Sequence, residues 1–245
     1  VYCRVYIQLF FGKEHGGINM RMRKKKHLDE RLGAVSDILF VSNIDPSERN
    51  FNTAAETEEY IDFDLWFARS APVVIEIGCG KGGFAAEYAL KHPDVNYVAV
   101  EKDANVIVAA CENAKSAGAD NVRFIKCSAE YLPRYIKPHT AEKLFLNFSC
   151  PFPKKKYASH RLTHSRFLGI YKRILKPDAV IEQKTDNAPF FEFSVESFTA
   201  NGYALKNISL DLHNSGFEDN IETEYERRFS AMGLPIYRLE AYLKE

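Results

Sequence analysis

The feature that most constrains this chain is the run VVIEIGCGKGGFAAEYALK at residues 73–91. A short apolar segment carrying one acid leads into four glycines within six residues, and then into a segment of helical length. A buried strand that passes through a glycine turn into a helix opens a βαβ unit, which commits a chain to parallel strands joined by crossover helices. The remainder repeats the pattern. Strands are predicted at 73–77, 97–101, 122–126, 143–149 and 179–184, with helices at 83–91, 105–118, 162–175 and 189–201. Gly118 and Gly202 punctuate the ends of two of those helices. Two alternating runs, 204–212 and 236–243, predict an antiparallel edge pair, which brings the strand count to seven.

The 245 residues suit one α/β domain, and 46% hydrophobic content supports a large core. The expected organisation is a single domain over 72–245, a basic arm and lead-in over 20–71, and an upstream extension over 1–19 ahead of Met20. No apolar stretch approaches the roughly 20 residues that span a bilayer, so no membrane partner is expected. The five cysteines, at 3, 79, 111, 127 and 150, form no C-x-x-C pair, and no histidine cluster has metal-ligand spacing. No metal is therefore expected, and a reducing cytoplasm fits.

Lys and Arg total 33 against 33 Asp and Glu, yet the charge is polarised along the chain. Residues 151–177 hold eight basic residues and no acid, and residues 20–33 hold six against two. Residues 211–226 hold six acids and no Lys or Arg. The basic blocks, including Lys154, Lys155, Lys156, Arg161, Arg166, Lys172 and Arg173, suit a folded RNA backbone, although a basic helix face can also be merely solvated.

In the glycine turn, Gly78, Gly80 and Gly82 let the backbone turn sharply and let a ligand approach without a Cβ in the way. A phosphate-binding P-loop is excluded because Lys81 is followed by Gly82 rather than Ser or Thr. Glu101 ends the second predicted strand, where a carboxylate accepts from the hydroxyls of an adenosine ribose. That much fits NAD as well as S-adenosyl-L-methionine. Glu76, an acid directly before the turn, suits a cationic methionine ammonium and sits badly beside a pyrophosphate, which favours S-adenosyl-L-methionine. Asp186, Glu224 and Glu226 are carboxylates that can match the two donors on the Watson–Crick edge of guanine. An Asx turn at 186–187 and a solvated acidic loop at 222–226 are the alternatives.

These residues together with N-F-S-C-P-F-P-K-K-K at 147–156, Arg161-Leu162, Thr185-Asp186-Asn187, Thr223-Glu224-Tyr225-Glu226 and Pro235-Ile236-Tyr237-Arg238-Leu239 resemble the bacterial tRNA (guanine-N7)-methyltransferase family over residues 20–245. The resemblance implies a Rossmann-like class I methyltransferase fold, a seven-stranded mostly parallel sheet with an antiparallel C-terminal edge hairpin and helices on both faces. It implies methylation of a tRNA variable-loop guanine, and a monomer or homodimer. It places cofactor contacts at Glu76, Gly78, Gly80, Gly82, Glu101, Ser128 and Cys150, and substrate contacts at Lys154, Asp186, Thr223, Glu224, Tyr225 and Glu226. Two positions depart, since the family usually carries aspartate where this chain has Ser128 and Cys150. The second of those aspartates is often given the catalytic role, so no catalytic residue carries over. A catalytically weakened RNA-binding relative and an NAD-dependent oxidoreductase are the rival readings.

Overall fold

The computed structural model describes residues 26–44 and 57–244; the expected upstream extension at 1–19 and the basic arm at 21–25 lie outside them. Among the described residues, eight strands form one sheet in the order β1-β4-β3-β2-β5-β6-β8-β7. They are β1 Leu39–Val41, β2 Val73–Ile77, β3 Asn96–Glu101, β4 Val122–Lys126, β5 Ala141–Asn147, β6 Leu175–Thr185, β7 Tyr203–Ser209 and β8 Tyr237–Leu243. The first six are parallel, while β8 runs antiparallel between β6 and β7.

The expected count of seven is one short because β1 adds to the edge, Leu39 pairing with Phe124. Three residues carry too little periodicity to mark a strand in the sequence, so only the exposed edge of β4 reveals its place. Among the described residues the helices are α1 Leu28–Ala34, α2 Phe63–Phe67, α3 Gly83–Lys91, α4 Ala104–Ala117, α5 Leu132–Tyr135, α6 Ser165–Ile174, α7 Ala188–Ala200 and α8 Glu224–Ser230. The basic helix starts at Ser165 rather than 162, because His164 caps it by accepting from the Arg166 amide at 3.3 Å.

Alternation along the central strands divides the core into two layers. Val73, Ile75 and Ile77 join Val98, Val100, Phe167 and Phe191 on one face, whereas Val74 joins Tyr97, Ala99, Phe84 and Ile107 on the other. Helices therefore cover both faces, as a parallel sheet requires. Asp103 caps α4 through the amides of Asn105 and Val106, and Gly118 closes it at φ 71°. The site is positioned by one topological fact: β2 is flanked by β3 and β5, so the strand order reverses between β2 and β5. In open α/β sheets that reversal leaves a crevice at the carboxyl ends of the strands.

Candidate active site

Five neighbouring strands deliver their carboxyl ends to this crevice. Gly78 follows β2, Glu101 ends β3, Ser128 lies two residues beyond β4, Asn147 ends β5 and Asp186 follows β6. The glycine turn is built by geometry rather than composition alone. Gly78, Gly80 and Gly82 all have positive φ, at 83°, 57° and 75°. A Cβ on Gly82 would lie 2.8 Å from the Ala110 Cβ of α4, so this glycine lets two helices approach. Gly78 and Gly80 have no atom within 4 Å of a built Cβ, so their faces are open to a ligand.

Glu76 is buried at 2% exposure between the two halves of the sheet. Tyr97 Oη donates to its Oε2 at 3.2 Å, and Asn147 Nδ2 donates to its Oε1 at 3.0 Å across the strand-order reversal. Burial pushes its pKa up to about 7, against the opposing help of Asn147, Tyr97 and the charge of Lys184. A buried carboxyl with two neutral donors and, among the described residues, no ion pair of its own is suited to an incoming cation. Asn147 Oδ1 and Ser149 Oγ are buried with no hydrogen-bond partner. Buried polar atoms are ordinarily satisfied, so this pair marks where a polar ligand belongs.

Glu101 spends one oxygen locally, Oε1 accepting from the Lys102 and Asp103 amides at 2.8 and 3.0 Å, and has Oε2 available for hydroxyl donors. Ser128 donates to Glu130, a carboxylate that also binds Arg166 at 2.9 Å, so the serine oxygen is left as an acceptor. Cys79, inside the turn, is buried, and burial raises its thiol pKa well above the usual range, which makes it a packing residue. Cys150 is half-buried in the loop after β5. That loop is fastened by Arg161, whose Nε and Nη2 donate to the Pro151 and Phe152 carbonyls at 2.9 and 3.1 Å.

Asp186 is half-buried and its pKa is raised by burial, opposed by its own backbone amide. Its neighbour Asn187 caps α7 through the Phe190 amide at 2.9 Å, so the cap is Asn187 and the Asp186 carboxyl is spared for another task. Lys154 is exposed beside Lys155 and Lys156.

The 223–226 tetrapeptide divides sharply. Thr223 and Glu226 form a capping box at the start of α8, Glu226 N donating to Thr223 Oγ1 at 2.9 Å. Glu226 is wholly buried, and Lys184 Nζ donates to its Oε2 at 2.7 Å. Asn220 Nδ2 donates to its Oε1 at 2.5 Å. The expectation that Glu226 holds guanine is therefore corrected: both oxygens are committed inside the protein, and it positions α8. Thr223 is likewise turned inward as the cap. Glu224 and Tyr225 face outward, Glu224 pairing with Lys81 of the glycine turn at 3.3 Å. Tyr225 stacks on Phe148.

Sequence reasoning passed over Asn147 and Lys184. Lys184 Nζ also donates to Asn220 Oδ1 at 3.0 Å and to the Ile221 carbonyl at 2.8 Å, tying β6 to the segment that carries α8. Its signal was available, since a lysine at the end of a strand buried on both faces must find partners. Among the described residues no group of acids, histidines and cysteines could hold a metal ion, and no helix is long and apolar enough to cross a membrane.

Comparison with known proteins agrees with this fold. The family model described as "Putative methyltransferase" matches residues 70–239. Among solved structures, 16S rRNA methyltransferase KamB superposes with a TM-score of 0.57 at 18% identity, covering 77% of this chain and 96% of that one. An antibiotic-related methyltransferase reaches 0.55 at 16% identity over the same shares, and both likenesses speak for the fold. The tRNA (guanine-N(7)-)-methyltransferase of Bacillus subtilis strain 168 is 40% identical over 90% of this chain and 98% of its own length. That of Clostridioides difficile strain 630 is 37% identical over 91% and 98%. The chain belongs to the tRNA (guanine-N7)-methyltransferase family.

Proposed function

We propose that this chain transfers a methyl group from S-adenosyl-L-methionine to N7 of a guanine in the variable loop of tRNA. The observation that carries the reading is the buried Glu76 carboxyl beside the partnerless Asn147 Oδ1, at the mouth of an open glycine turn. These residues fit the cofactor. Glu76 and Asn147 would receive its ammonium, Gly78 and Gly80 would admit its backbone-like end, Glu101 Oε2 would accept from its ribose hydroxyls, Ser128 would meet its adenine, and Cys150 would stand as a wall. When bound, the cofactor supplies an electrophilic methyl group.

The residues of the chain then have an orienting task. Guanine N7 carries a lone pair and no proton, so no general base is required, and rate comes from holding the base in line. Proximity and orientation can account for about 7 to 11 kcal/mol of barrier. Asp186 would hold the N1–H and N2–H edge, with Lys154 and its two neighbours on the tRNA phosphates. Glu224 lies at the same mouth. Incubating an unmodified tRNA transcript with the protein and cofactor, then measuring 7-methylguanosine by nucleoside mass spectrometry, tests the assignment. No product, or a methyl group on another base, would refute it.

A further inference from the structure

Phe148 and Tyr225 reach the crevice from two separate segments. Their ring centroids lie 6.3 Å apart with planes 18° from parallel, within the range of aromatic pairing. Phe148 opens the loop after β5 with φ 49°, an uncommon conformation for a bulky side chain. Its amide donates to the Lys184 carbonyl at 2.8 Å. Tyr225, 44% exposed, sits in the first turn of α8, and that turn is held by Glu226 on the Lys184 ammonium. One residue thus fixes both supports, its carbonyl holding Phe148 and its side chain holding the turn that presents Tyr225. Beside Tyr225, Glu224 touches Lys81 of the glycine turn, so the rings stand next to the cofactor loop.

We propose that Phe148 and Tyr225 form the stacking platform that receives the target guanine once it leaves the RNA stack, and that they set the plane of the base. The proposal rests on the reading of this site as one that methylates guanine N7. The N7 lone pair lies in the plane of the purine, so the tilt of that plane decides the direction of attack. Hydrogen bonds along the Watson–Crick edge leave the base free to swing about that edge. Contact with its face removes the swing. A base taken out of a folded RNA also loses its stacked neighbours, and aromatic side chains are the general means of replacing them. Asp186, two residues beyond Lys184, supplies the edge contact, so face and edge recognition are both anchored on the end of β6.

The test uses the full chain and a tRNA transcript carrying 2-aminopurine at the target position, whose fluorescence is quenched by stacking. With wild-type protein the probe should be quenched relative to its complex with Tyr225→Ala, several-fold brighter because half of the platform is missing. On the guanine transcript, single-turnover methylation at saturating cofactor should fall at least tenfold for Tyr225→Ala, and Tyr225→Phe, which retains the ring, should recover most of it. Cofactor affinity by calorimetry should be the same in all three. Phe148→Leu keeps apolar volume in the loop and should give the bright signal as well. Equal fluorescence and equal single-turnover rates for Tyr225→Ala and wild type would overturn the platform. A wild-type protein that leaves guanine N7 unmethylated would instead remove the reading beneath it, so the two failures are distinct.

Discussion

If Glu76 receives the cofactor's ammonium as proposed, its proton and the cofactor compete for one carboxyl. Its folded-state pKa of about 7 stands above the ordinary 4.5, so between those values the native state binds more protons than the unfolded chain. Stability from this group is therefore greatest below pH 4.5 and falls as pH rises toward 7, by about 3 kcal/mol at most. Glu76→Gln should flatten that part of a melting-temperature profile, and superimposable profiles for mutant and wild type would refute it. A bound cation reverses the preference by favouring the ionised carboxylate. Cofactor affinity should accordingly rise about tenfold between pH 6 and 8 in the wild type and stay level in Glu76→Gln, as calorimetry can measure. Cys150 poses the opposite case. If N7 attack needs placement and no base, Cys150→Ala should retain most single-turnover activity and Cys150→Asp should change it by about tenfold, or 1.4 kcal/mol. Asp186→Ala should lose far more than either. An inactive Cys150→Ala protein that binds both ligands normally would make the thiol a participant. Glu76 was legible in the sequence because an acid inside an apolar strand needs a reason. Glu226 was misread because a carboxylate in an acidic loop looks the same on paper whether it faces solvent or a buried lysine.

At the scale of elements, α8 is held in place by charge as well as by packing. Lys184 and Glu226 are exposed by only 1% and 0%, and an ion pair so deep is costly to break from one side. Lys184→Met leaves the buried Glu226 without its lysine counter-ion, and should destabilise the protein by about 3 to 5 kcal/mol in denaturant titrations. Lys184→Met combined with Glu226→Met should recover at least half of that loss; a double variant worse than the single one would refute the pairing argument. The main βαβ framework was readable from the sequence because many of its breaks are marked locally: β2 runs into the glycine turn, β3 into the Asp103 cap of α4, and Gly118 and Gly202 follow α4 and α7. Where the reading slipped, local signals were short: β1 has three residues, and β6 begins at Leu175, directly where α6 ends, so no turn separates them. The Lys184 link joins two elements distant in sequence, and such links have no local signature at all.

For the molecule as a whole, the acid-free block of the sequence does not act as one surface. Arg166 pairs with Glu130, Arg173 with Glu58 and Lys176 with Glu142, while Lys172 donates to the Asn201 carbonyl and Arg161 fastens the loop after β5. Lys154, Lys155 and Lys156 are the exposed cluster beside the crevice. Replacing all three with alanine should weaken tRNA binding and lower the slope of log affinity against log salt by roughly 0.9 for each phosphate no longer neutralised at duplex-like charge density. Parallel slopes for mutant and wild type would show that this cluster does not meet RNA.

The strand order also has a consequence for how the chain is made. β8 emerges from the ribosome after the other seven strands, yet its place is between β6 and β7. A growing chain therefore carries β6 with one unpaired edge, and β7 lies parallel to it, able to zip onto that edge and occupy the vacant slot. Glu182 of β6 faces both neighbouring strands: it holds the Lys143 ammonium of β5 at 3.0 Å, and its second cation, a guanidinium 2.9 Å away, comes from Arg238 on β8. The late strand thus adds a second counter-charge to a carboxylate that β5 has already begun to neutralise, and the slot between β6 and β7 favours the strand that carries it.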